Sequence, residues 1–93
     1  MAKWTWAAEI SAGDYQPPIR LAYIVGTNLI NRSPNTGLNA RVLGGLDYVV
    51  VQDPFLTPTA RLADVVLPSC TDLERADLVS AWGHDAYLYH SQQ

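Results

Sequence analysis

The 93-residue sequence predicts an α/β fold, a three-layer domain built on a small parallel sheet. Short uninterrupted apolar runs recur near residues 21–25, 48–52 and 64–67, each closed by Gly, Asp or Pro. Residue types that open helices stand between those runs. The first two runs and the stretch joining them cover about 30 residues, the length of a right-handed βαβ unit, and such a unit makes its strands parallel.

Taken in order, Met1 to Pro18 reads as a lead-in segment. It mixes tryptophans with a Gly13-Asp14 turn signal and ends in Pro17-Pro18, which can continue neither a helix nor a central strand. Leu21-Ala22-Tyr23-Ile24-Val25 is the first strand, and its unbroken apolar character predicts burial on both faces. Ser33-Pro34 has the chemistry of an N-cap followed by a first-turn proline, and Leu38, Val42 and Leu46 recur behind it at every fourth position. Gly37, Gly44 and Gly45 each weaken that helix by roughly 0.5–1 kcal/mol, so it depends on tertiary packing. Asp47 to Gln52 repeats the strand pattern. Thr57-Pro58 then opens a short helix through Ala63, and residues 64–67 form the third strand before Pro68. Thr71 and Glu74 have capping-box spacing for another short helix, and Tyr87 to His90 forms a strand or a docked tail. The expected organisation is a lead-in over 1–18, a core over 19–71, and a C-terminal helix and tail over 72–93 running toward the rest of a larger protein.

Apolar residues make up 48% of the chain and charged residues only 16%, a composition that suits faces meant for neighbouring domains. Six basic residues stand against nine acidic ones, and no Lys/Arg cluster exists to neutralise a run of phosphates, so nucleic acid is not an expected partner. Cys70 is the only cysteine, which excludes an internal disulfide and a cysteine metal set. The longest apolar runs are four to five residues, far too short to span a membrane.

Ligands of an open parallel sheet bind beyond the carboxyl ends of its strands. Three polar clusters fall there: Gly26-Thr27-Asn28, Gln52-Asp53 and Ser69-Cys70-Thr71. Gly26 allows close backbone approach, Thr27 and Asn28 supply short donors for phosphate or sugar oxygens, and the Asp53 carboxylate can accept two parallel hydrogen bonds, as from the paired N–H edge of guanine or a ribose diol. Thr57 and Thr59 open the following helix close by. Ordinary turn and capping chemistry explains small polar residues at such places equally well. The absence of G-x-G-x-x-G disfavours a plain NAD domain. Asp64 is expected to cap or start a strand, while Cys70, His84 and His90 lack an activating neighbour and are assigned structural roles. Trp82, Tyr87 and Tyr89 are assigned to packing.

Residues 22–28 (A-Y-I-V-G-T-N), 50–60 (V-V-Q-D-P-F-L-T-P-T-A) and 63–68 (A-D-V-V-L-P), in that order and spacing, resemble the molybdopterin oxidoreductase family, the dimethyl sulfoxide reductase superfamily. The resemblance extends from Arg20 to Asp77, and Thr71, Glu74, Arg75 and Asp77 are similar to a stretch of its reductase-like branch. It implies a Rossmann-like domain that grips one of two molybdopterin guanine dinucleotides (bis-MGD). In that arrangement Asp53 faces guanine, and Gly26, Thr27, Asn28, Gln52 and Thr57 lie near the ribose and diphosphate. No iron–sulfur cysteines and no Ser or Cys ligand region for molybdenum or tungsten accompany the motif, so no residue here is expected to be catalytic or to hold the metal. The resemblance thus implies one part of a larger redox enzyme, inactive alone, with the enzyme's other domains as partners and uncovered faces prone to self-association. The alternative reading is a stand-alone nucleotide-binding or regulatory α/β interaction module.

Overall fold

A computed structural model of the chain describes residues 5–80 and 88–91. Strands β1 (Leu21–Val25), β2 (Tyr48–Gln52) and β3 (Val65–Leu67) form where the sequence places its apolar runs. They pair in parallel with β2 in the centre. Ile24 lies opposite Val51, and Val51 opposite Val66, so the two-residue alternation of a strand sends Ala22, Ile24, Val49, Val51 and Val66 to the same face.

That face carries the core. Helices α1 (Trp6–Ala12), α2 (Leu29–Arg32) and α3 (Thr36–Gly45) supply Trp6, Ala7, Ile30, Val42 and Leu43 to one cluster with the sheet residues. Leu43, Val49 and Val51 retain at most 1% of their exposure. Each aliphatic side chain buried to that degree stabilises the fold by about 1.5–3 kcal/mol.

The opposite face is open. Leu21 and Tyr23 are more than half exposed, and Val25, Tyr48 and Leu67 are exposed beside them. The α/β class and parallel sheet are as expected, but burial of β1 on both faces is not found, because no element of the described residues covers this side. Of the three expected layers, the described residues supply the sheet and one helical layer.

Three local differences from expectation have physical causes. The lead-in contains a helix, α1, which Gly13 closes in the left-handed conformation at φ 76° by donating its N–H to Ile10 O. Its Trp6 is buried and donates from Nε1 to Ser33 Oγ at 3.2 Å. Second, Ser33-Pro34 does not open the main helix. Ser33 is extended (φ −98°, ψ 143°), as the residue before proline tends to be, and it ends α2. Asn35 caps α3 instead, from a left-handed backbone (φ 60°), with its side chain accepting from Leu38 N at 3.2 Å. The buried Asn39 ties this junction by donating from Nδ2 to Ser33 O and Pro34 O.

Third, the expected helix after Thr57-Pro58 is a single 3-10 turn, Ala60–Leu62, whose N-cap is Thr59 rather than Thr57; Thr57 Oγ1 accepts from Ala60 N at 3.2 Å from two residues further back. Asp64 stands immediately before β3 rather than in it, with its Oδ2 accepting from Val49 N at 2.7 Å. The Thr71/Glu74 capping box is present at a second 3-10 turn, Asp72–Glu74. Beyond it, Asp77–Ser80 forms β4, which the sequence did not reveal, paired antiparallel with β5 (Leu88–Ser91). Trp82, His84 and Tyr87 lie outside the described residues. No described helix is long and apolar enough to cross a membrane.

Candidate functional site

A cleft of about 570 Å³ opens beyond the carboxyl ends of the three parallel strands. Val25 and Gly26 border it at the end of β1, Gln52 at the end of β2, and Ser69-Cys70-Thr71 after β3. Pro54 and Phe55 add an apolar wall, with Phe55 68% exposed. The sheet edge at which ligand chemistry was expected is thus a concave surface.

Gly26 donates its N–H to Gln52 O at 2.9 Å, which extends the strand pairing by one bond, and then turns the chain at φ 57°. A Cβ at Gly26 would meet nothing within 4 Å, so the position needs glycine for its backbone conformation rather than for space. Gln52 is half-buried, and its Oε1 accepts from Tyr23 Oη.

Asp53 is buried at 7% exposure on the loop leaving the central strand. Its N–H donates to Leu67 O, and its Oδ1 accepts from Phe55 N at 3.0 Å, an Asx turn. Oδ2 has no partner among the described residues. Because no side-chain nitrogen or oxygen among the described residues is both buried and unpaired, Oδ2 keeps contact with solvent.

Thr59, fully buried, joins the first two loops. Its Oγ1 accepts from Ile30 N at 3.0 Å and donates to Asn28 Oδ1 at 2.7 Å. Thr27, Asn28 and Thr57 are half-buried and, like Asp53, stand off the cleft wall, whereas Gly26 and Gln52 line it. Thr59 was legible only as a helix-start residue near the site; its bond to Asn28 has no local sequence signal.

On the far wall, Asp72 and Arg75 pair at 3.1 Å across one turn. Thr71 donates from its backbone N and from Oγ1 to Glu74 Oε2, and those two bonds hold the Glu74 carboxyl below its usual range. Cys70 is exposed on the cleft wall. No three His, Cys, Asp or Glu side chains converge among the described residues. What the arrangement offers a ligand is therefore hydrogen bonding and close backbone approach.

Residues 7–88 match the family model of the molybdopterin oxidoreductases. Among curated proteins, the chain is similar to a formate dehydrogenase alpha subunit of Methanocaldococcus jannaschii, 47% identical over 57 residues, which cover 61% of this chain and 8% of that protein. It is 39% identical over 76 residues to the biotin sulfoxide reductase of Cereibacter sphaeroides, covering 82% of this chain and 10% of the relative. With trimethylamine-N-oxide reductase 1 of Escherichia coli it shares 35% identity over 77 residues, 83% of this chain and 8% of the relative. Formate dehydrogenases and reductases are both among the relatives. The chain spans about a tenth of the length of these relatives. With a family match covering most of its residues, this chain belongs to the molybdopterin oxidoreductase family.

Proposed function

We propose that this chain is the part of a molybdopterin-dependent oxidoreductase that grips the guanine dinucleotide end of the cofactor, in the manner of a Rossmann-like domain. The observation that carries the reading is Asp53. One carboxylate oxygen is spent on holding its own loop, while the other remains open at the carboxyl end of the central strand. A fixed carboxylate with a free oxygen suits the N1–H and exocyclic amine of guanine.

The surrounding donor set fits such a group. Gly26 brings backbone to the cleft edge, Gln52 keeps its amide nitrogen as a donor while its oxygen is held by Tyr23, and Thr27, Asn28 and Thr57 place short polar side chains on the adjoining loops. These residues would hold the ribose and diphosphate. When bound, the cofactor supplies oxygen-atom or electron-pair transfer at its molybdenum or tungsten centre. The residues of this chain bind and orient, and the other domains of the full-length protein complete the enzyme.

The test is Asp53→Asn in the full-length protein. Asparagine can keep the Oδ1 bond to Phe55 N but turns a donor toward guanine. The expected loss is about 1.5–3 kcal/mol, or roughly 10- to 150-fold in affinity. Nucleotide released from purified protein on heating, identified and quantified by chromatography, reads this directly. Unchanged guanine nucleotide content and unchanged resistance to its loss would reduce Asp53 to a turn residue.

A further inference from the structure

Thr59 is a buried hydroxyl whose bonding leaves little freedom. Ile30 N can only donate, so it occupies one lone pair of Oγ1. The single hydroxyl proton then needs an acceptor, and the one that the hydrogen-bond pattern supplies among the described residues is Asn28 Oδ1, at 2.7 Å. This orientation fixes the Asn28 amide, with its oxygen turned inward and its Nδ2 hydrogens outward. Nδ2 has no partner among the described residues, and since no side-chain nitrogen among them is both buried and unpaired, it keeps contact with solvent. Asn28 is also the cap residue of α2, yet its side chain makes no capping bond: Ile30 N donates to Thr59 Oγ1 and Asn31 N to the backbone Asn28 O instead.

We infer that Thr59 is a positioning residue that sets Asn28 as an obligate hydrogen-bond donor toward an oxygen of the bound cofactor, a diphosphate or ribose oxygen, an inference that rests on the function proposed above. A flipped amide would present an oxygen to those oxygens and repel them. Thr59 also couples the two strand-end loops, since it follows β2 while Asn28 and Ile30 follow β1.

Three variants of the full-length protein test this: Thr59→Val, Thr59→Ser and Asn28→Asp. Two quantities are measured, the rate at which guanine nucleotide is lost from purified protein during incubation and the thermal unfolding midpoint. Thr59→Val removes the proton that orders Asn28, and nucleotide loss is expected to accelerate by about tenfold, the scale of one lost hydrogen bond to a charged group. Thr59→Ser restores the hydroxyl and is expected to lie close to wild type. Asn28→Asp still accepts the Thr59 proton, so its midpoint is expected to stay near wild type while its nucleotide is lost at least as fast as from Thr59→Val.

An Asn28 that donates nothing to the cofactor predicts the reverse for Asn28→Asp, with nucleotide retention like wild type, and that result overturns the inference even where Thr59→Val fails to fold. Equal retention in Thr59→Val and wild type overturns it as well. Wild-type protein that yields no guanine nucleotide on heating refutes the proposed function and this inference together, whereas wild type that holds it alongside an unaffected Asn28→Asp refutes only the inference.

Discussion

Asp64 clasps Val49 at two points: its carboxylate Oδ2 accepts from Val49 N at 2.7 Å, and its own N–H donates to Val49 O at 2.9 Å. The pair joins the residue before β3 to the second residue of β2, Val49, which is 1% exposed. Asp64→Ala leaves a buried backbone N–H without a partner, at a cost of about 1–3 kcal/mol. For a domain of this size each kcal/mol lowers Tm by roughly 4–8 °C. Asp64→Asn retains an acceptor and is expected to lose less than half as much. Equal losses in calorimetry for the two variants would show that the carboxylate's role is not this bond.

Gly26 turns at φ 57° with open space around it, so substitution there is opposed by the backbone alone. Gly26→Ala is expected to destabilise by about 1–2 kcal/mol. Gly26→Asn should cost less, since asparagine tolerates the left-handed region. Denaturant titration of both variants checks the order, and alanine no worse than asparagine contradicts it.

Glu9 accepts hydrogen bonds from Tyr15 Oη and Thr5 Oγ1. The bond to Glu9 pushes the Tyr15 phenol up to about 12, while the bonds from Thr5 and then Tyr15 hold Glu9 below its usual range. The tyrosine contribution is therefore fully present below the ordinary phenol value of about 10 and is lost as pH rises through the folded value. The Glu9 contribution is present above the ordinary carboxylate value and is lost as pH falls through its lowered one. Glu9→Gln should return Tyr15 toward about 10, read from the Tyr15 ring carbon shift in a pH titration by NMR. A Tyr15 titration unmoved by the substitution would break the assignment.

The open sheet face carries Leu21 and Tyr48 directly opposite each other on adjacent strands, both exposed. Contiguous exposed apolar surface of this kind drives association. The isolated chain is expected to self-associate in sedimentation experiments, and Leu21→Lys with Tyr48→Glu, a cross-strand pair of opposite charge, to shift it toward monomer. Wild type sedimenting as a clean monomer at high concentration would show that this face needs no cover.

The sequence alone determined the elements whose signals are local. The apolar runs specified three strands, and their spacing with an intervening helix dictated parallel pairing. Thr71 and Glu74 declared their capping box because capping is a matter of residues three or four apart. The polar clusters after each strand located the edge where the cleft opens for the same reason: strand direction and turn chemistry are both readable along the chain.

Only the tertiary structure decided matters that depend on distant groups meeting. Helix α1 has weak local markers and exists through the burial of Trp6 and its bond to Ser33. Asn35 displaced Ser33 as the cap because Ser33 was needed in extended form before Pro34, as the partner of Trp6. Strand β4 forms by pairing with β5, which no pattern within Asp77–Ser80 announces. One face of β1 is bare and the other buried, although Leu21 to Val25 are apolar throughout; the helices cover only one side. The Thr59–Asn28 bond spans 31 positions. A buried hydroxyl must bond to whichever acceptor the fold brings within reach, and that choice belongs to three-dimensional packing rather than to the order of residues.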